Sequence, residues 1–167
     1  MYRLFALIII GSIACSLGGC MPSPYYQKDI SLNQHSWYYN DTPTFRFTVT
    51  DTTCFYNIYF LVRHTEAYPY SNIWLWIYTK KPGDSSFSRS RIEIPLAEAS
   101  GKWEGRGMGE IWEQRMPITN VGDSDILRHP GKYEIRLEQN MRVNPLPEIL
   151  QIGLRVEKGA SRKFAGK

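Results

Sequence analysis

The feature that most constrains the fold is the alternation of apolar and polar residues in short segments. In residues 44–50, Phe45, Phe47 and Val49 face one way, and the residues between them are polar. A period of two is typical of a strand with one buried face and one solvated face. No segment after residue 20 shows a long apolar period of 3.6 residues, so the pattern predicts strands and turns rather than helices.

Similar short segments recur along the chain, separated by turn residues. The pattern predicts further strands at residues 54–64, 73–79, 87–94, 132–139 and 148–156, and a strand or a helical turn at 111–116. Glycine-rich residues 101–109 are interpreted as a loop or a short irregular strand. The aromatic content of 14% agrees, because aromatic side chains fit a pleated surface. We therefore predict an all-β fold: an antiparallel β-sandwich, Ig-like or jelly-roll-like, of about 7–8 strands.

Two of these segments are apolar on both sides. Segment 54–64 is aromatic and β-branched throughout, which predicts a central strand buried on both faces. In segment 73–79, Trp74, Trp76 and Tyr78 alternate with three aliphatic residues. Their face is either packed in the core or an aromatic platform for sugar rings, and we favour the core.

The N-terminus reads as a secretion leader. Arg3 precedes an apolar run at residues 4–17, which is too short for a permanent membrane-spanning helix. The run ends in Leu17-Gly18-Gly19-Cys20, which resembles a bacterial lipobox. The resemblance implies that the Cys20 thiol receives a diacylglycerol, that cleavage follows before Cys20, and that the new amine is acylated. Cys15 is the alternative, but Ser12 stands where that motif needs an apolar residue.

This interpretation sets the expected domain organisation. We expect a signal peptide at 1–19, lipidated Cys20 and a tether at 20–39, the sandwich at 40–157, and a basic, disordered tail at 158–167. Position 21 is not Asp, and no acidic run follows Cys20. By resemblance to lipoprotein sorting rules, this implies an outer-membrane anchor with the domain facing the periplasm.

Charge and residue spacing exclude several function classes. Five of the 20 basic residues lie in the leader or the last ten residues, which leaves 15 against 16 acidic residues at 20–157. A basic nucleic-acid-binding face is therefore not indicated. The three histidines lie far apart in the sequence, and Cys54 reads as a small core residue. No metal-ligand spacing and no assembled nucleophile, acid and base stand out, so we expect no enzyme activity, metal or cofactor.

A series of segments carries a family resemblance. They run in order as Phe47–Thr53, Tyr56-Asn57, Val62–Thr65, Tyr68–Leu75, Pro95–Ala97, Gly101–Trp103, Gly105–Trp112, Glu138–Arg142, Pro145–Pro147 and Ile152–Glu157. Together with the lipobox, this pattern resembles the gliding-motility lipoprotein family GldH of Bacteroidetes-type bacteria. The resemblance implies a lipoprotein needed for surface gliding and linked to the envelope machinery that secretes adhesins. It implies no catalytic residue.

Two functional hypotheses follow. The first is a non-enzymatic, outer-membrane-anchored interaction component of the gliding and secretion machinery, whose partners are cell-envelope proteins. Aromatic residues and Arg dominate interface energetics, so the expected contact surface contains Tyr68, Tyr70, Trp103, Arg106 and Trp112. The alternative is a carbohydrate-binding sandwich of a glycan-uptake or peptidoglycan-contact system, which leaves a glycan open as a ligand. For the polar cluster of residues 63–66 we favour a structural role, with Arg63 paired to a carboxylate.

Overall fold

A computed structural model of the chain describes residues 23–118 and 126–162. This part consists of strands and loops, apart from a 3₁₀ turn at Asn33–His35. The described strands are β1 (Tyr26–Ser31), β2 (Ser36–Trp37), β3 (Thr44–Val49), β4 (Cys54–Thr65), β5 (Asn72–Lys80), β6 (Ser88–Pro95), β7 (Arg106–Met108), β8 (Ile111–Pro117), β9 (Gly131–Gln139), β10 (Leu146–Pro147) and β11 (Ile149–Ser161). Within the described ranges, no helix has the length and apolar character that a membrane span requires.

The strands form two main antiparallel sheets. One sheet has five strands in the order β1-β11-β4-β8-β7, and the other has four strands in the order β3-β9-β5-β6. A short pair, β10-β2, lies beside them. This arrangement confirms the predicted antiparallel β-sandwich, although the described strands number eleven rather than seven or eight.

The core lies between the inward faces of the two sheets. Phe45, Phe47 and Val49 of β3 are buried as their alternation predicted, and the Phe47 ring stacks on Tyr133 of β9 at 5.9 Å between centroids. From the five-stranded sheet, Phe60 of β4 is fully buried. Removal of these aromatic side chains from water is the main term that stabilises the sandwich.

β4 is central, as predicted, since it lies between β11 and β8. The prediction that both faces of this strand are buried is wrong. One face is buried from Cys54 to His64, but on the other face Asn57 is exposed and Phe55, Tyr59 and Arg63 are only half-buried. Arginines cover part of that outer face, with the Arg115 guanidinium 4.8 Å from the centre of the Tyr59 ring.

The sheets extend beyond the boundaries expected from sequence. β1 and β2 lie in residues 20–39, the segment assigned to a tether, and β11 continues to Ser161, into the segment assigned to a basic tail. β1 pairs with β11 along its whole length, from Tyr26 opposite Val156 to Ser31 opposite Gln151. β1 is an edge strand with mostly exposed side chains, so its sequence lacks the apolar alternation that reveals a buried strand.

Strand register defines two ends of the sandwich. The end where the described chain begins, here called the entry end, contains Tyr25, the β3–β4 loop at residues 50–53, the β5–β6 turn and the last residues of β11. The opposite end, here called the far end, contains the β4–β5 loop at residues 66–71 and the loop between β6 and β7. β4 joins the two ends over 12 residues, or about 40 Å at the usual rise of a strand.

Candidate interaction site

The structure brings three of the five predicted contact residues together at the far end. Tyr68 lies 5.7 Å from Tyr70 and 6.3 Å from Trp103, measured between ring centroids. His64 of β4 completes the group, with its ring 4.6 Å from Trp103 and 5.4 Å from Tyr68. We call these four residues the aromatic cluster. Tyr68 is buried, with 3% of its surface exposed, whereas Tyr70 and Trp103 are half-buried.

Backbone geometry after β4 places Tyr68 in this cluster. The Thr65 hydroxyl accepts a hydrogen bond from the Ala67 backbone N–H and donates one to the Glu148 carboxylate. The Tyr68 backbone N–H donates to the Thr65 carbonyl at 3.1 Å, and its hydroxyl donates to the Asn72 carbonyl at 3.0 Å. Hydrogen bonds between its own polar groups therefore close the turn. Burial raises the pKa of the Tyr68 phenol above its usual range.

The contacts of Arg63 agree with the structural role that the sequence favoured for residues 63–66, and its predicted pairing with a carboxylate is confirmed. Its guanidinium contacts the Glu113 carboxylate at 2.8 Å across the β4–β8 pair, and it also donates to Gln151. The Thr65 hydrogen bonds supply the rest of that role.

His64 is enclosed and neutral. Its Nδ1 lies 2.8 Å from the Thr65 carbonyl oxygen, and its Nε2 lies 3.1 Å from Nε2 of Gln114. A carbonyl can only accept, so Nδ1 carries the proton and Nε2 accepts from the Gln114 amide. Burial lowers the pKa of His64 from its ordinary value, which keeps the ring uncharged near neutral pH.

Gln114 links this histidine to the loop that carries Trp103. Its Nε2 also donates to the Leu96 carbonyl at 2.8 Å, and the same carbonyl accepts from the Glu104 backbone N–H at 2.9 Å. Ala97 and Trp103 form an isolated bridge across the loop. Gln114 was not predicted from the sequence, although a polar residue on the inward face of β8 is a signal that could have identified it.

Trp112 borders the aromatic cluster, whereas Arg106 lies on the other face of the sheet. Trp112 lies opposite His64 in the β4–β8 register, and its ring lies over Gly107, where an added Cβ would come within 3.1 Å of it. Its buried Nε1 has no hydrogen-bond partner in the described part of the chain. Arg106 is exposed and lies opposite Glu113, on the other face of the sheet. The five predicted residues therefore share one end of the domain but not one continuous patch.

Trp74 and Trp76 lie on the outer face of the four-stranded sheet, so the prediction that they pack in the core is wrong. Both are half-buried, while their neighbours Ile73 and Leu75 are fully buried. The Arg91 guanidinium lies 4.1 Å from the centre of the Trp74 ring, and Arg89 lies at the same distance from Trp76. These cation–π contacts cover part of the aromatic surface that the sequence suggested as a platform.

The described residues contain no group of metal ligands. Cys54 is buried in the core, as predicted. In residues 23–118 and 126–162, no three His, Cys, Asp or Glu side chains are grouped closely enough to hold a metal ion. Cys20, the predicted lipidation site, lies outside the described residues.

Known proteins resemble this chain over most of its length. It is 28% identical over 162 residues to a gliding motility lipoprotein GldH homolog from Christiangramia forsetii, covering 93% of this chain and 92% of that protein. It is 26% identical over 131 residues to the gliding motility lipoprotein GldH of Flavobacterium johnsoniae, covering 74% and 78% of the two chains.

A solved structure and a family model complete the comparison. A carbohydrate-binding module, CBM28, described as specific for non-crystalline cellulose, is 10% identical and superposes with a TM-score of 0.43, covering 80% of this chain and 73% of the module. That score is too low to support an argument. The family model of the GldH lipoproteins matches residues 24–156. The chain therefore belongs to the GldH lipoprotein family.

Proposed function

We propose that this GldH family member is anchored in the outer membrane through lipid on Cys20, faces the periplasm, and acts as a non-enzymatic interaction component of the gliding and secretion machinery. Family membership supports the link to gliding motility. The leader that ends in Leu17-Gly18-Gly19-Cys20 supports the anchor. Several acyl chains hold a protein stably in a membrane, whereas one chain binds only marginally.

The position of the aromatic cluster is the main support for the proposed interaction role. The cluster lies at the far end, whereas Tyr25, five positions after Cys20 in the sequence, lies at the entry end. The two ends are about 40 Å apart along β4. This arrangement directs the half-buried rings of Tyr70 and Trp103 away from the anchor, toward proteins that the domain meets in the periplasm.

The environment of His64 supports a non-enzymatic role. Both ring nitrogens are engaged in hydrogen bonds with protein groups, and burial holds the ring neutral. A general base must instead reach a proton of the substrate. The ring therefore fixes the far-end loops rather than performing chemistry.

The test compares variants of the half-buried and exposed contact residues in gliding cells. Tyr70 is only half-buried and Arg106 is exposed, so both the Tyr70→Ala and the Arg106→Ala proteins are expected to fold. We expect each to lose partners recovered with the wild-type protein by cross-linking and mass spectrometry, and to reduce gliding. Phe55→Ala is the matched control, because Phe55 is a half-buried aromatic residue at the entry end. Normal gliding and an unchanged partner set for both variants would contradict the proposal.

The outward position of Trp74 favours carbohydrate binding as a second candidate. Trp74 lines a groove of about 390 Å³ together with Tyr70, Arg91, Asn140, Met141 and Arg142. The Arg91 contact covers part of the indole, which disfavours stacking of a neutral sugar ring. Titration with envelope glycans, followed by tryptophan fluorescence, separates the candidates. A saturable change that Trp74→Ala abolishes and Trp112→Ala retains would support carbohydrate binding.

A further inference from the structure

Tyr25 fixes the start of the described chain against the entry end. Its hydroxyl donates to the Thr48 carbonyl at 3.0 Å, and the Thr50 backbone N–H donates to that hydroxyl at 3.1 Å. Its ring packs edge-on against Tyr56, with 5.0 Å between centroids. Whatever lies upstream of Tyr25 is therefore attached to this end of the sandwich.

Chain length then limits how far this end can stand from an anchor at Cys20. Tyr25 is five residue steps after Cys20, with four residues between them. A fully extended chain advances at most about 3.6 Å per residue, so the span cannot exceed about 18 Å. If Cys20 carries lipid, as proposed above, the entry end must lie within that distance of the membrane surface.

A lysine-lined groove opens at the same end. It has a volume of about 770 Å³, and its lining includes Lys80, Lys81 and Lys132. Thr48, whose carbonyl holds Tyr25, also lines it. In the described part of the chain, none of these three lysines has a carboxylate within salt-bridge distance: Glu134 pairs instead with Arg46 and Arg136, and Asp84 accepts from the backbone N–H of Lys81.

The charges around the groove do not cancel this excess. At the entry end, Lys158 is neutralised by Asp51 at 2.6 Å. Four cationic side chains line the groove, those of Arg46 and the three lysines, against the two carboxylates of Asp84 and Glu134, so the lining keeps a net charge of +2. The groove is therefore a net positive surface next to Tyr25.

We propose that the entry end of the domain docks on an anionic phospholipid surface, with headgroup phosphates held in the groove of Lys80, Lys81 and Lys132. The proposal rests on the proposed anchoring at Cys20. Docking gives the domain a second attachment to the membrane, in addition to the acyl chains on Cys20. It also fixes the orientation of the domain. The far end, with the aromatic cluster, then points away from the membrane instead of sampling all directions on a short tether.

The test uses the full lipidated chain reconstituted in vesicles. Ser86, an exposed residue of the β5–β6 turn beside the groove, is changed to Cys and labelled with a fluorophore; Cys54 is buried. Exposed Ser100 at the far end is labelled in the same way in a second protein. Lipids with spin-labelled headgroups quench a fluorophore only at short range. The vesicles contain phosphatidylcholine alone or phosphatidylcholine with phosphatidylglycerol in equal parts.

We expect quenching of the Ser86→Cys label on vesicles with phosphatidylglycerol, little quenching on phosphatidylcholine alone, and none of the Ser100→Cys label on either. Roughly 1 M salt should release the quenching, because the Debye length falls to about 3 Å. Each lysine near an anionic surface strengthens binding about fivefold, so changing all three to Gln should lower the ratio of docked to undocked protein about 100-fold.

A charge-matched control separates the groove from net charge. Lys28, Lys102 and Arg142 are exposed and lie outside the groove, and changing all three to Gln removes the same charge; this control should retain quenching. Equal quenching on the two vesicle types, or no effect of the groove substitutions, would overturn the docking proposal. Flotation with phosphatidylcholine vesicles measures the anchor separately: if the chain does not float and Cys20→Ala changes nothing, the proposed anchoring fails.

Discussion

Replacing Gln114 by Leu tests whether one buried amide holds the far end together. Gln114 is 1% exposed, and its amide nitrogen donates to the Leu96 carbonyl and to Nε2 of His64. Leu has a similar volume and cannot donate. The Leu96 carbonyl keeps its bond from Glu104, whereas Nε2 of His64 becomes a buried acceptor without a donor.

The expected loss of stability in Gln114→Leu is the sum of three contributions. Loss of the bond to Leu96 costs about 0.5–1.5 kcal/mol, and the orphaned His64 nitrogen costs about 1–3 kcal/mol. Removal of Oε1 of Gln114, which has no partner in the described residues, recovers about 1 kcal/mol. The free energy of unfolding should therefore fall by about 1–3 kcal/mol, and Tm by roughly 3–10 °C.

Urea unfolding followed by tryptophan fluorescence measures this change. The midpoint should shift to lower urea without a change in slope, since the surface exposed on unfolding stays the same. Gln27→Leu is the matched control, because it makes the same replacement at an exposed position of β1 and should stay within about 0.5 kcal/mol of wild type. If the Gln114→Leu midpoint coincides with that of the control, the buried amide does not hold the far end.

Three further predictions concern single residues. Because burial lowers the pKa of His64, the unfolded chain takes up the proton first as pH falls below about 6.5. Stability should therefore drop with acidification below that pH, and urea midpoints of His64→Gln should depend less on pH. Gly131→Ala should destabilise the fold by about 1–3 kcal/mol in thermal unfolding, because φ of Gly131 is +134° and the new Cβ would lie 2.8 Å from the Pro82 ring. Gly83→Ala is the control and should destabilise the fold less, because the space around Gly83 is open. Arg91→Ala should alter tryptophan emission and lower stability by about 0.5–1 kcal/mol, since it uncovers the Trp74 ring.

The sequence predicted those strands in which burial of one face requires apolar and polar residues to alternate. β3 and β9 each bury every second side chain, and both were predicted within one residue of their observed limits. β1 has no such pattern, because an edge strand with exposed side chains is specified by its pairing with β11. Pairing partners are not visible in a single sequence, so β1 was assigned to a tether.

The same limit explains the placement of the candidate site residues. Tyr68 and Tyr70 are close in sequence, and their contact could be expected from the loop that carries both. Contact of these residues with His64 and Trp103 depends on the β4–β8 register and on the bond from Gln114 to Leu96. Trp74 was predicted to lie in the core because the neighbouring run at residues 54–64 was also interpreted as buried. The arginines that half-cover the face that carries Trp74 come from β6, and only strand register brings them there.

The two proposals constrain each other through the geometry of one strand. β4 begins at Cys54, at the entry end, and its inward face ends with His64, inside the aromatic cluster. A domain docked by the groove lysines therefore holds Trp103 about 40 Å from the lipid surface. A partner that needs the aromatic cluster should then be sensitive to the groove substitutions, although the two sites share no residue. Loss of that partner in the Lys80, Lys81 and Lys132 variant, with the far end intact, would show that orientation by the membrane is part of recognition.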